Sequence, residues 1–211
     1  MRIVKIPSVG YESNCWLLID EASGEYAMID PSSSPTVIDE KIKDLELNVQ
    51  KFKYAFLTHG HFDHMYSVDY VREKYGCKLC IHEKDALSLT DSYKNANKLF
   101  FNEDLLFNPA DVLINDGDKL ELGDLQIEVI HTPGHTEGCV CYLVENALIC
   151  GDTIFDRSVG RTDLPGGNTK VLCDSLRKIK AMDDEITLYP GHGSITTIKE
   201  QIQSNPYLKG L

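Results

Sequence analysis

No window of the chain approaches the ~18 uninterrupted apolar residues of a membrane-spanning helix, so no span is expected. The opening MRIVKIPSVGYESN lacks an apolar run flanked by basic residues and a small-residue cleavage site. That absence argues against a secretory signal and for a cytoplasmic location. Basic clusters are missing as well. Lysines and arginines number 21 against 33 acids, the formal net charge is −12, and the two signs are interspersed. A duplex-binding surface needs a basic footprint, so nucleic acid is not an expected partner, and the charge reads as a solubility feature. A second CxxC is also absent. Cys77 and Cys80 stand alone in YGCKLCIHE, which leaves a four-cysteine zinc site without half its ligands. A redox pair stays open. Of the seven cysteines, Cys139, Cys141 and Cys150 lie in apolar stretches and read as small buried hydrophobes, with no structural disulfides expected in a reducing compartment. No low-complexity linker divides the 211 residues, which suits one domain over 1–211.

What is present is a series of short apolar runs separated by turn residues. RIVKI, NCWLLID, EYAMID, KYAFLTH, KLCIHE, LQIEVIH, GCVCYLVE, NALICGD and ITLYPGH read as strands. Between them, TVIDEKIKDLELN, HMYSVDYVREKYG, KVLCDSLRKIKAM and TIKEQIQ have helical spacing, with Gly76 a stop for the second. The segment from Lys84 to Asp116 carries LSL and LFF clusters among polar residues and reads as helix plus loop covering a site. Two hairpins echo one another. NCWLLIDEASGEYAMIDP ends at Asp30 and GCVCYLVENALICGDT at Asp152, each after a Cys, two apolar strands and an acidic turn. Such an echo suggests two related halves, each offering a sheet, with helices outside.

The histidines are not scattered. His59 and His61 follow KYAFLT two positions apart, and alternate residues of an extended chain point the same way. Asp63 and His64 come next, where the chain turns into a helix whose N-terminus favours an ionised Asp. His135 in HTPGHT, Asp152 in ICGDT and His192 in YPGHG each lie just past an apolar strand, beside Gly or Pro. Strand ends that converge on one sheet edge make a rigid frame for a site on loops. Imidazoles and carboxylates without thiolate suit Zn, Fe or Mn, and such a zinc site with an open position is catalytic in type. His82 and His131 fill no ligand slot. Both read as structural, with His131, four residues before His135, a candidate to orient a ligand.

With these motifs the chain resembles the metallo-β-lactamase-fold hydrolases, over essentially its whole length. The resemblance implies an α/β fold, an αββα four-layer sandwich of two mixed β-sheets flanked by helices, with metals at one edge. It implies two divalent ions, zinc favoured and iron or manganese as alternatives. His59, His61 and His135 would hold the first, Asp63, His64 and His192 the second, and Asp152 would bridge them. GDTIFDRSVGRTDLPGGN and YPGHGSITTIKEQIQSNPYL are similar to glyoxalase II-like enzymes without a C-terminal glutathione-binding domain. In that comparison Arg161 falls near a basic substrate contact, with an ion pair to Asp163 as the alternative role.

The resemblance implies hydrolysis of a thioester, or a related ester, with Asp63 and Asp152 as the catalytic carboxylates. Paired ions lower the pKa of a shared water toward ~7, and a thiolate of pKa ~8.5 leaves without a strong acid. The expected partner is a small-molecule thioester or ester. The chain's end soon after NPYLKGL leaves the thiol carrier open, since full-length glyoxalase II continues into a further domain. A mononuclear iron persulfide dioxygenase and a lactonase of the same fold are the alternatives. A nuclease is disfavoured by charge, a secreted β-lactamase by the N-terminus and a flavodiiron role by His61. A non-catalytic metal store would need a closed site. Composition leaves monomer and homo-oligomer both open, and the surface around Phe100–Phe107 reads as a lid or an interface.

Overall fold

In the computed structural model, which describes residues 1–8 and 12–211, strands of alternating facing build two sheets. The first runs in chain order: β1 (Arg2–Ile6), β2 (Cys15–Ile19), β3 (Tyr26–Ile29), β4 (Phe52–Phe56), β5 (Lys78–His82) and β6 (Val112–Ile114). β1 to β3 pair antiparallel, and β3 to β6 pair parallel. The second is ordered β14 (Thr196–Thr197), β13 (Thr187–Pro190), β10 (Ala147–Gly151), β9 (Val140–Val144), β8 (Leu125–His131) and β7 (Lys119–Leu122). A two-stranded ribbon, β11 (Ile154–Phe155) with β12 (Ser158–Val159), follows β10.

Alternation along each strand produces the layers. In β2, Trp16 and Leu18 face the second sheet, while Cys15, Leu17 and Ile19 face away, the two-residue period of a strand. Ala147 and Ile149 of β10 meet Trp16 and Leu18 between the sheets, in a cluster that includes Phe56, Ile127 and Tyr142. On the outer face of the first sheet, α1 (Pro35–Asp44) and α2 (Val68–Tyr75) bury Ile38, Ile42, Val68 and Val71. On the outer face of the second, α4 (Thr169–Lys180) buries Leu172, Leu176 and Ile179 and α5 (Ile198–Ser204) buries Ile198. Inner strands covered on both sides are apolar throughout, as β2 and β10 are. The architecture is the αββα sandwich expected from sequence.

Helix ends follow local chemistry. Pro35 opens α1, where its missing N–H costs nothing. Gly76 closes α2 at φ 74° in the left-handed region, as expected. Thr197 and Glu200 form a capping box on α5. One boundary differs from the sequence reading. The helix expected from His64 begins only at Val68. Phe62–His64 instead make a 3-10 turn, because Phe62 N–H donates to Asn95 O while His64 and Met65 bond back to His61 and Phe62. The Lys84–Asp116 segment holds a 3-10 stretch (Glu83–Leu89) and α3 (Asn97–Phe101), but also the edge strand β6, too short to register as a sequence pattern. None of the helices among the described residues is long and apolar enough to cross a membrane.

The two-half reading gains topological support. β2–β3 is a hairpin followed by α1 and then β4, parallel to β3. β9–β10 is a hairpin followed by α4 and then β13, parallel to β10. The hairpins that echo in sequence therefore open the same hairpin–helix–parallel-strand unit in each sheet.

Cys77 and Cys80 belong to different layers. Cys77 packs with the outer cluster under α2, whereas Cys80, on β5, faces the other sheet. Burial pushes both thiols up to about 12, far from the thiolate state that exchange requires. All seven cysteines are free, and Cys173 is the one that is not buried. Titration of the native protein with a thiol reagent should therefore show one fast thiol, and all seven only after denaturation. Two fast thiols that disappear together on mild oxidation would restore the redox-pair reading.

Candidate metal centre

The four strand-end loops named from sequence meet at one edge of the sandwich. His59, His61, Asp63 and His64 follow β4, His135 follows β8, Asp152 follows β10 and His192 follows β13. The structure brings all seven side chains together in three overlapping groups: His59, His61 and His135; His59, His64 and Asp152; Asp63, His64 and His192. Within each group the donor atoms lie within 4.8 Å of one another. His64 Nε2 lies 3.4 Å from both Asp63 Oδ2 and Asp152 Oδ1. Asp152 Oδ2 lies 3.5 Å from His135 Nε2 and 3.6 Å from His192 Nε2, so its carboxylate faces both ends of the cluster.

What aims the rings lies behind them. Asp30, at the end of β3, accepts from the Thr58 backbone N–H at 2.7 Å, from the Thr58 hydroxyl at 2.7 Å and from His64 Nδ1 at 2.9 Å. With its proton committed to Asp30, the Thr58 oxygen accepts from His59 Nδ1 at 3.1 Å. His135 Nδ1 donates to Arg161 O at 2.6 Å and His192 Nδ1 to Glu12 O at 3.2 Å. Four rings thus spend Nδ1–H on the scaffold and keep Nε2 as a lone-pair donor, the arrangement that orients metal-binding imidazoles. The two sheets are joined beside them by Val140 N–H to Thr58 O at 2.8 Å. Gly191, before His192, has no room for a side chain. A Cβ there would lie 2.1 Å from Asp152 Oδ1 and 2.8 Å from His64 Cε1.

The donor set fits divalent cations. His61 Nδ1 and His135 Nε2 are 2.8 Å apart, a separation at which two ring nitrogens need a shared proton or cation. His59 Nε2, His61 Nε2 and Asp152 Oδ1 are buried without a hydrogen-bond partner, a costly state for polar atoms. Burial holds His59 and His61 well below the ordinary histidine range, with the neighbouring imidazoles adding to it, so both stay neutral lone-pair donors. At the other end, burial is outweighed by Asp63, Asp152 and Asp30, which push His64 up to about 10. Burial likewise fails to raise Asp63, whose carboxyl is held well below its usual range by His64 and His192. These acids favour a positive charge at the cluster, whether proton or metal.

A cavity of about 200 Å³ opens above the cluster, with Phe62, Phe100, Leu164 and Arg161 in its wall. Arg161 pairs with Asp163 through Nε and Nη2, both at 2.7 Å, and lies over the Phe100 ring at 5.8 Å. The ion pair with Asp163 expected as one role of this residue is present, and Arg161 also lines the cavity. Sequence reasoning missed the work of its carbonyl on His135. It also gave Asp30 no role, although the hairpin echo had placed it opposite Asp152.

His82 and His131 do neither of the things a ligand would. They belong to none of the three donor groups and stack on each other, centroids 4.2 Å apart at 10°, linking the end of β5 to the end of β8. His131 Nε2 bonds Glu137 O at 2.8 Å, so it does not orient a ligand ring. Burial, then His131, holds His82 down to about 4. A histidine depressed below its ordinary 6.5 favours the fold while neutral. That contribution is complete above ~6.5 and is lost as pH falls through about 4. His82→Asn keeps an acceptor for Lys84 N–H and removes the titration. Its thermal midpoint should fall less than the native protein's between pH 6.5 and 4; parallel curves would show that the stack is not pH-sensitive.

The family model described as the Metallo-beta-lactamase superfamily matches residues 9–192. An uncharacterized protein of Mycobacterium leprae is 38% identical over 225 residues, covering 100% of both chains. Hydroxyacylglutathione hydrolase GloC of Haemophilus influenzae is 32% identical over 212 residues, covering 99% of this chain and 98% of its own. Among solved structures, the BLEG-1 B3 metallo-beta-lactamase superposes with a TM-score of 0.93 at 31% identity, covering 99% of this chain and 100% of that one. TTHA1623, in a di-iron-bound form, superposes at 0.84 with 27% identity, covering 97% of this chain and 100% of that one.

Proposed function

Because the chain belongs to the metallo-beta-lactamase superfamily, we propose that it is a binuclear metal-dependent hydrolase of the glyoxalase II-like branch, cleaving a small acyl thioester. The observation that carries this reading is the convergence of seven oriented donors beneath a cavity with one cationic side chain, Arg161, in its wall. His59, His61 and His135 would hold one ion and Asp63, His64 and His192 the other, with Asp152 offering an oxygen to each. When bound, such ions supply Lewis acidity and a water acidic enough to ionise near neutral pH.

The chain's own residues account for the rest. Asp63 Oδ2, 3.4 Å from His64 Nε2 and 3.4 Å from His192 Nε2, stays ionised and is placed to accept a proton from attacking water. Phe62, Phe100 and Leu164 exclude solvent from one side of the cavity. Among the described residues, Arg161 is the one charged side chain of the lining outside the donor set. It is no acid at neutral pH, so a leaving group that needs no protonation suits the site, which favours a thiolate over an amine. Its ion pair with Asp163 is largely exposed to solvent and screened by it, so Arg161 is readily exchanged onto a substrate carboxylate. Nη1 has no partner among the described residues. A glutathione thioester is supported by the match to 98% of the length of Hydroxyacylglutathione hydrolase GloC.

The test is a panel of S-D-lactoylglutathione, another acyl thioester, a lactone and a β-lactam, on protein of measured metal content. Two ions per chain and preferential thioester turnover, lost in Asp63→Ala, are expected. Preference for lactone or β-lactam overturns the substrate assignment. A single iron with oxygen uptake on glutathione persulfide overturns hydrolysis itself. Arg161→Ala should raise KM for the glutathione thioester roughly tenfold, the worth of one charge-assisted hydrogen bond, with kcat kept. An unchanged KM would leave Arg161 only its backbone role toward His135.

A further inference from the structure

Asp85 lies on the 3-10 stretch after β5, outside the seven donors, and is 4% exposed. Its carboxylate accepts three hydrogen bonds. Oδ2 takes the Gly60 N–H at 2.9 Å and the Thr136 hydroxyl at 2.6 Å, and Oδ1 takes the Gly138 N–H at 2.8 Å. Gly60 separates His59 from His61, and Thr136 directly follows His135. One side chain is thus bonded to both loops that carry the first donor group, and those loops leave strands of different sheets. Contact is close on both sides. A Cβ on Gly60 would lie 2.5 Å from Ser88 Cβ, and one on Gly138 2.6 Å from Asp85 Cγ. The three bonded groups are all donors here, so only a side chain that accepts at both ends satisfies them; an amide would turn its own N–H groups against one of them.

We propose that Asp85 is a positioning residue that sets the separation of His59 and His61 from His135, and so the affinity for the ion those three hold. The proposal rests on the metal-centre reading above. It differs from a general packing role because the bonds of Asp85 fall beside first-group ligands, at Gly60 between His59 and His61 and at Thr136 after His135, and, among the described residues, its side chain has no hydrogen bond to the loops that carry Asp152 or His192. It predicts selectivity between the two ions.

Zinc binding would be measured by competition with a chromophoric chelator, alongside circular dichroism and the melting of the metal-stripped protein. The variants are Asp85→Asn and Thr136→Val, and Asp85→Asn combined with His61→Ala or with His192→Ala. The native protein should take two ions. Asp85→Asn should weaken one of them at least ~10-fold, the usual scale for groups behind a metal ligand, and leave the other unchanged. Thr136→Val should act on the same ion, more weakly, and carries the test if Asp85→Asn does not fold. The Asp85→Asn effect should vanish in the His61→Ala background and persist beside His192→Ala. A lower melting temperature with both affinities intact overturns the proposal, as does equal weakening of both ions. A native protein that takes up no ion overturns the metal centre itself, and the proposal with it.

Discussion

Five imidazoles packed into mutual contact, most of them buried, are the constraint around which this edge of the molecule is built. Each ring has two nitrogens, and a cluster of free rings would rotate to hydrogen-bond with itself. The fold prevents this by occupying Nδ1 of His59, His64, His135 and His192 with Thr58, Asp30, Arg161 O and Glu12 O. His61 is the exception, presenting Nδ1 to the cluster. Two of those scaffold partners are backbone carbonyls on loops, so the loops must be held as firmly as the side chains. Hydrogen bonds across the sheets supply that rigidity, Val140 to Thr58 and the Tyr142 hydroxyl to Leu57 O among them.

The duplication of the hairpin–helix–parallel-strand unit places equivalent strand ends opposite each other. Asp30 and Asp152 end the inner strands β3 and β10. One carboxylate sits behind His64 and orients it, and the other sits among the donors and faces them. Near-equivalent positions have taken different tasks because Asp30 is enclosed by Thr58 and His64, while Asp152 reaches the cavity.

The donors were legible in the sequence because their signal is local: HxHxDH sits in one turn, and His135, Asp152 and His192 each follow an apolar strand beside glycine. Eight inner strands, the edge strand β1 and the layering were legible for the same reason, since apolar runs bounded by turn residues declare strands covered by other layers. What stayed hidden depends on distant pairing. Asp85 meets Gly138 across 53 positions, and nothing near either residue signals it. The strands β6, β7 and β14 are short or half-exposed edges with weak patterns. The helix expected at His64 was displaced to Val68 by a bond from Phe62 to Asn95, again a distant partner. Cys77 and Cys80 form a motif in sequence only, because residues three apart along extended chain face opposite ways.

The donors also span most of the chain. His64 and His192 stand 128 positions apart and meet only when β13 has aligned beside β10. Their encounter carries the loop-closure cost of a long-range contact. A chain still emerging from synthesis lacks His192, and so the complete Asp63, His64 and His192 group, until its last strands are made. A metal ion that bound the native state in preference to the unfolded one would then tie the two sheets together from their shared edge, so that its uptake would report on completed folding.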